Sequence, residues 1–180
     1  ADPVLRRMRR WHTRAAYRER VLEIAARVAP LGLGADVIAG FPGETEADHA
    51  ATRELVEELP YSYLHVFPWS PRKGTVAATL EGRVPQRVAA ERARELRDIG
   101  AARGRAYAAA RIGGLARVAV ETGARGLTGD YLRVRVPDAE PGTLIDLRLS
   151  ARADGGLTAG RAAGRQAVSY THLTLPTNRE

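Results

Sequence analysis

Apolar residues at Tyr17, Val21, Ile24, Ala25 and Val28 recur at helical spacing and predict a helix over residues 13–29. Thr13 stands where an N-cap belongs, and Pro30 and Gly32 close the segment. Residues 33–39 are mostly apolar, which predicts a short strand buried on both faces, as in a parallel sheet. Thr45-Glu46-Ala47-Asp48 resembles a capping box, with Asp in place of the usual Glu or Gln. The helix it opens should run to about residue 59, with Thr52, Leu55, Val56 and Leu59 facing inward. A second strand over residues 63–67 is stopped by Pro68 and Pro71. Strand, loop, helix, strand at this spacing predicts a right-handed βαβ unit.

Val84-Pro85 opens a long helix to about residue 112, with Val88, Leu96, Ile99, Arg103 and Tyr107 near one face. Gly100 and Gly104 should weaken its middle. Gly113-Gly114 is the clearest domain boundary. Beyond it the period switches to two over residues 115–122, 132–136 and 143–149, which predicts a small β-barrel or sandwich. Residues 169–180 contain three Thr and neither Ala nor Gly, against an Ala-, Gly- and Arg-rich background. They read as a non-native tail outside the fold, which removes His172 from the candidates. The expected division is therefore 1–112, 113–168 and 169–180.

Composition changes this picture in two places. The 180 residues include no cysteine, which excludes a disulfide framework, a thiolate zinc site and an iron–sulfur cluster ligated from within the chain. No run approaches the roughly 20 apolar residues of a membrane span, and no secretory signal is visible, so a cytoplasmic protein with no membrane partner is expected. The net charge is +7, and Lys73 is the sole lysine among 28 basic residues. Arginine pairs with phosphate and stacks on bases, but GC-rich coding also yields such a count. Position must decide.

Several positions combine chemistry with a telling location. Gly40-Phe41-Pro42-Gly43-Glu44-Thr45 follows the first strand, at the end where βα folds place their chemistry. It is either a capped tight turn or a wall that a ligand can approach closely at Gly40. Asp36, Ile38 and Gly40 share one face of that strand, as Tyr63, His65 and Phe67 share one face of the next. Asp36 and His65 are thus either a satisfied structural pair or contacts for a ligand. The loop from Ser70 to Thr75, with Arg72 and Lys73, is either a solvated turn or an anion contact. Tyr131, Arg133 and Arg135 alternate along one predicted strand face, which suits base stacking and phosphate contact, or decorates solvent. Arg6, Arg7, Arg9 and Arg10 should lie mostly on a solvated helix face.

Three blocks carry a resemblance: Leu5-Arg6-Arg7-Met8-Arg9-Arg10 with His12-Thr13, then Asp36 through Thr45, then Tyr63-Leu64-His65-Val66-Phe67-Pro68-Trp69-Ser70 continuing to Thr75. In this order and spacing the chain resembles the radical S-adenosylmethionine methylthiotransferases, and its terminal β segment resembles their RNA-binding TRAM domain. The resemblance covers residues 1 to about 165. It implies an α/β fold: the fifth and sixth βα units of an open barrel, followed by a small all-β barrel. The implied cofactors are S-adenosylmethionine and two 4Fe-4S clusters, whose cysteines are absent here. The chain would then be the carboxy-terminal part of an enzyme, inactive without the missing amino-terminal part. Ile38, Gly40, Phe41, Pro42, Gly43, Glu44, Phe67 and Pro68 would border the cofactor. Asp36, His65, Ser70 and Arg72 would face the substrate or lumen. Tyr131, Arg133 and Arg135 would contact tRNA. The 63–70 block is most similar to the branch that adds a methylthio group to carbon 2 of threonylcarbamoyladenosine beside the anticodon. The isopentenyladenosine branch, the branch acting on a ribosomal-protein aspartate, and a stand-alone RNA-binding module remain the alternatives.

Overall fold

Thr13 accepts a hydrogen bond from Ala16 N–H and so starts helix α2 (Arg14–Arg27), after a short helix α1 (Asp2–Arg7). A computed structural model describes residues 1–160, so the tail expected at 169–180 and the end of the expected 113–168 segment lie outside the described residues. The chain divides into two compact units, residues 1–107 and residues from 108 onward.

In the first unit, β1 (Gly34–Ala39) and β2 (Tyr63–Pro68) are parallel neighbours joined through α3 (Glu46–Glu58). A short 3-10 turn (Val76–Thr79) leads into α4 (Gln86–Ala110). The core is Val21, Ala39, Val56, Leu59, Tyr61, Val66, Ala93 and Leu96. Burial, together with a 2.9 Å hydrogen bond to the Tyr17 hydroxyl, pushes the Tyr61 phenol above its ordinary range. The expected α2 stripe is narrower than its periodicity implied. Val21 is buried, but Ile24 and Val28 are exposed, because the helix rests on the core along only part of its length.

Two further expectations are corrected. β1 is not buried on both faces: Ala35, Val37 and Ala39 turn inward while Asp36 and Ile38 are exposed, and β2 alternates likewise, with Leu64 and Val66 inward and Tyr63, His65 and Phe67 exposed. The described sheet has two strands, with helices over one face only. Gly100 and Gly104 are contact points rather than weak spots in α4. A Cβ at Gly100 would lie 3.0 Å from Leu64, and one at Gly104 would lie 2.9 Å from the Ser62 carbonyl oxygen. Their missing side chains let the helix backbone approach β2.

The second unit is a closed barrel in the order β3-β4-β5-β7-β6, which resolves the barrel-or-sandwich alternative. Its strands are β3 (Leu115–Glu121), β4 (Arg125–Thr128), β5 (Arg133–Arg135), β6 (Leu144–Ala151) and β7 (Leu157–Gly160). Period-two alternation fills the interior with Val118, Val120, Val134, Val136, Leu147, Leu149, Leu157 and Ala159. The ring closes through a parallel pairing of β5 with β7, Val134 against Leu157. Among the described residues no helix is long and apolar enough to cross a membrane.

Candidate functional site: a clamped βα loop and an arginine face

The loop after β1 is built from local chemistry first. Thr45 accepts from Asp48 N–H, and the Asp48 carboxylate accepts from Thr45 N–H at 3.0 Å, completing the capping box. Burial alone would raise the Asp48 carboxyl, but hydrogen bonds from the Thr45 backbone and hydroxyl bring it below the ordinary range. Gly40 and Gly43 take positive φ values of 76° and 84°, which glycine adopts without strain.

Side chains from distant elements then lock the loop. The buried Glu44 carboxylate accepts from Gly40 N–H at 3.1 Å and from the buried Arg92 guanidinium at 2.8 Å. The other arm of Arg92 reaches Glu46 at 2.9 Å. From α1, Arg7 donates to the carbonyls of Pro42 and Glu81, both at 2.9 Å. Arg7 is thus not a merely solvated residue, whereas Arg6, Arg9 and Arg10 are exposed as expected. Nothing local in the sequence signals the roles of Arg7 and Arg92, since their partners lie far along the chain.

This clamping changes the reason for the two glycines. A Cβ at Gly40 would fall 2.3 Å from the Ala89 Cβ, and one at Gly43 would fall 2.5 Å from the Arg7 guanidinium. The chain itself fills both cradles. Phe41 and Pro42 are also buried, with Phe41 edge-on to Trp69 at 6.2 Å between centroids. Of the eight expected cofactor neighbours, Gly40, Phe41, Pro42 and Glu44 are therefore interior, while Ile38 and Phe67 lie on the open sheet face.

Register brings those exposed residues together. Ile38 pairs with Phe67 and Asp36 with His65 on the open face, while Pro68 pairs with the buried Ala39. Among the described residues no side-chain hydrogen bond or ion pair joins Asp36 or His65 to another side chain, and the His65 and Tyr63 rings meet edge-on at 5.5 Å between centroids. The satisfied-pair alternative for Asp36 and His65 is thus not what the structure contains. Ser70 and Arg72 are exposed beyond β2, where the Arg72 carbonyl accepts from Thr75. The face combines an apolar patch with one acid and one imidazole. Iron–sulfur chemistry has no donors here: the chain holds no cysteine, and no cluster of three His, Asp or Glu residues among the described ones could hold a metal.

In the second unit Arg133 and Arg135 stand on β5 with exposed side chains. Tyr131 is not part of that strand, contrary to the expected alternation. It precedes β5 in a turn with φ of 65°, pinned by its N–H to the Thr128 carbonyl, because Thr128 draws the chain into a tight loop through Leu132 N–H. It remains 63% exposed, so its ring is still presented near the arginines' end of the barrel.

No protein-family model matches the chain. It is 41% identical over 138 residues to the threonylcarbamoyladenosine tRNA methylthiotransferase of Treponema pallidum, covering 76% of this chain and 28% of that protein. The enzyme of the same name from Rickettsia prowazekii is 46% identical over 99 residues, covering 55% of this chain and 23% of its own length. A tRNA-2-methylthio-N(6)-dimethylallyladenosine synthase from Erythrobacter litoralis is 43% identical over 95 residues, 53% of this chain and 21% of the relative. The chain spans less than a third of the length of each of these relatives. Over that matched stretch, the chain belongs to the tRNA methylthiotransferase family.

Proposed function

We propose that this chain is the part of a radical S-adenosylmethionine methylthiotransferase that supplies two strands of the cofactor-binding barrel and an RNA-contacting β unit. In this reading the parent enzyme adds a methylthio group to carbon 2 of threonylcarbamoyladenosine in tRNA. The carrying observation is the length of the Treponema match. Its 138 residues exceed the 107 of the first unit, so the likeness runs across both units.

The sulfonium cofactor would supply the radical chemistry, with cluster thiolates from outside these residues. The chain's own part is to bind and orient. Ile38 and Phe67 offer apolar surface to the adenosyl group, with Pro68 next to them at the end of β2, and the Gly40–Glu44 loop holds their strand ends rigid from behind through Arg92 and Arg7. Asp36 and His65 lie two register positions away on the same face, where a polar edge of cofactor or substrate would meet them. Ser70 and Arg72 lie on the loop beyond β2.

The test is a chimera in which the matched segment of the Treponema enzyme is replaced by the corresponding residues of this chain. Mass spectrometry of tRNA nucleosides should show methylthio-threonylcarbamoyladenosine. Product on isopentenyladenosine instead would assign the chain to the other tRNA branch. A folded chimera without either product would overturn the proposal.

A further inference from the structure

The turn between α1 and α2 carries three features that stability alone does not explain. It closes α1 with a pair of hydrogen bonds, Arg9 N–H to the Arg6 carbonyl at 3.0 Å and Arg10 N–H to the Leu5 carbonyl at 2.9 Å. In such a cap the residue after Met8 takes a left-handed backbone, a place ordinarily held by glycine. Here it is Arg9, with φ of 56°, an unfavourable conformation for a residue that carries a Cβ. Next, Arg6, Arg9 and Arg10 are exposed and make no ion pair among the described residues. Elsewhere in the same unit arginines meet carboxylates, as Arg14 does Glu54, Arg18 Glu58 and Arg53 Glu95. A cation at a helix C-terminus is favourable, but Arg7 already holds the last helical position. Finally, Trp11 follows these charges and is fully exposed.

The turn is fixed at its base. The Asp2 carboxylate at the start of α1 accepts from Arg14 N–H at the start of α2, at 2.7 Å, and the His12 ring lies 5.8 Å from that of Tyr17. Arg7, donating to the Pro42 carbonyl in the loop after β1, brings the end of α1 to the carboxy end of the sheet, where Ile38 and Phe67 are open.

We propose that Arg9, Arg10 and Trp11 bind an unpaired nucleotide of RNA, with Trp11 stacking on the base and the two guanidiniums taking the flanking phosphates. The choice of RNA rests on the tRNA reading above, and none of these residues belongs to the second unit. An unpaired base has a free face for an aromatic ring, whereas a base inside a duplex is already stacked. The arginines hold no carboxylate, so taking up phosphate breaks no existing ion pair. Arg9, Arg10 and His12 surround the ring with polar groups, so it offers area for one flat base rather than for a wide apolar protein patch.

The test follows Trp11 emission in the whole 180-residue chain carrying Trp69→Phe, which leaves a single tryptophan. An RNA hairpin with an unpaired loop should quench that emission, and a fully paired RNA duplex should not. By anisotropy of the labelled hairpin, Trp11→Ala should weaken binding about 5- to 100-fold, while Trp11→Phe keeps most of the affinity. Arg9→Gln with Arg10→Gln should lower the slope of log affinity against log salt by about one to two units, and Arg9→Lys with Arg10→Lys should preserve it. Thermal melts confirm that each variant is folded. Hairpin binding without quenching would place the RNA elsewhere and overturn the assignment to this turn, while the nucleoside product of the chimera tests the tRNA reading separately. Equal quenching by inorganic polyphosphate, which has no bases, would overturn the stacking, and absence of hairpin binding would overturn the whole proposal. In a Treponema chimera that also carries this turn, Trp11→Ala should leave the thermal midpoint unchanged. A fall of several degrees would show that Trp11 packs against the rest of the enzyme, and would overturn the assignment to RNA.

Discussion

The two units solve the problem of sheet burial in opposite ways. In the barrel every strand has a neighbour on each side, and the interior is filled by its own side chains. In the βαβ unit, helices cover one sheet face, and Ile38, Tyr63 and Phe67 remain exposed at 39%, 37% and 53% on the other. The first arrangement is self-sufficient; the second is stabilised behind the sheet and left open in front. Its polar anchors follow the same division. Arg92–Glu44, the Thr45–Asp48 box and His49–Glu95 all sit behind or beside the strands, never on the open face.

The contrast can be broken most forcefully at the anchors. Arg92→Leu leaves the Glu44 carboxylate buried without its partner and should cost about 3–5 kcal/mol. Leu149→Ala, at a fully buried barrel position, should cost about 2–5 kcal/mol through the cavity it opens. Both are read by urea unfolding. Tryptophan emission reports the first unit, which holds both Trp11 and Trp69, and hydrogen exchange reports barrel amides.

Acid sharpens the comparison at a smaller scale. A hydrogen bond from His49, opposed by burial and reinforced by Arg53, holds the Glu95 carboxyl below its usual range, as the capping box does for Asp48. A depressed carboxylate contributes stability that is present above the ordinary range near pH 4–4.5 and lost as pH falls through the folded-state value. Urea midpoints of the first unit should therefore decline below about pH 4.5, and Thr45→Ala should cost about 1 kcal/mol at neutral pH while flattening that decline. A midpoint independent of acid would show that these contacts add nothing. The smallest effect belongs to the open face. Phe67→Ala should change stability by no more than about 0.5 kcal/mol in the same assay. A loss comparable with Leu149→Ala would mean that the face is packed after all.

What was readable in the sequence follows the range of the interactions. Thr13 and the Thr45–Asp48 box act within one helical turn, so residue types and spacing were enough. Asp36 and His65 fell on matching faces because strand alternation is local, although only register could show that they are partners. β4 escaped because its inward positions are Gly126 and Thr128, which carry no apolar alternation. β7 escaped because Leu157 and Ala159 give too short a pattern beside Gly155-Gly156. The Glu44–Arg92 pair spans 48 residues, and no local rule reaches that far. The glycines taught a different lesson: residue types left Gly40 as either a tight turn or a close approach for a ligand, and only the fold shows that a Cβ there would meet Ala89.

The parallel β5–β7 pairing also sets an order of events during synthesis. β3, β4 and β5 can join as soon as they leave the ribosome, since their partners are adjacent in the chain. β5 then waits, with a bare edge, until the segment from Leu157 to Gly160 has been made. A nascent chain stopped before Leu157 would present two unpaired edges, on β5 and β6, to its neighbours in the polysome. Four residues near the end of the described chain thus decide whether the whole barrel is a finished object or an adhesive one.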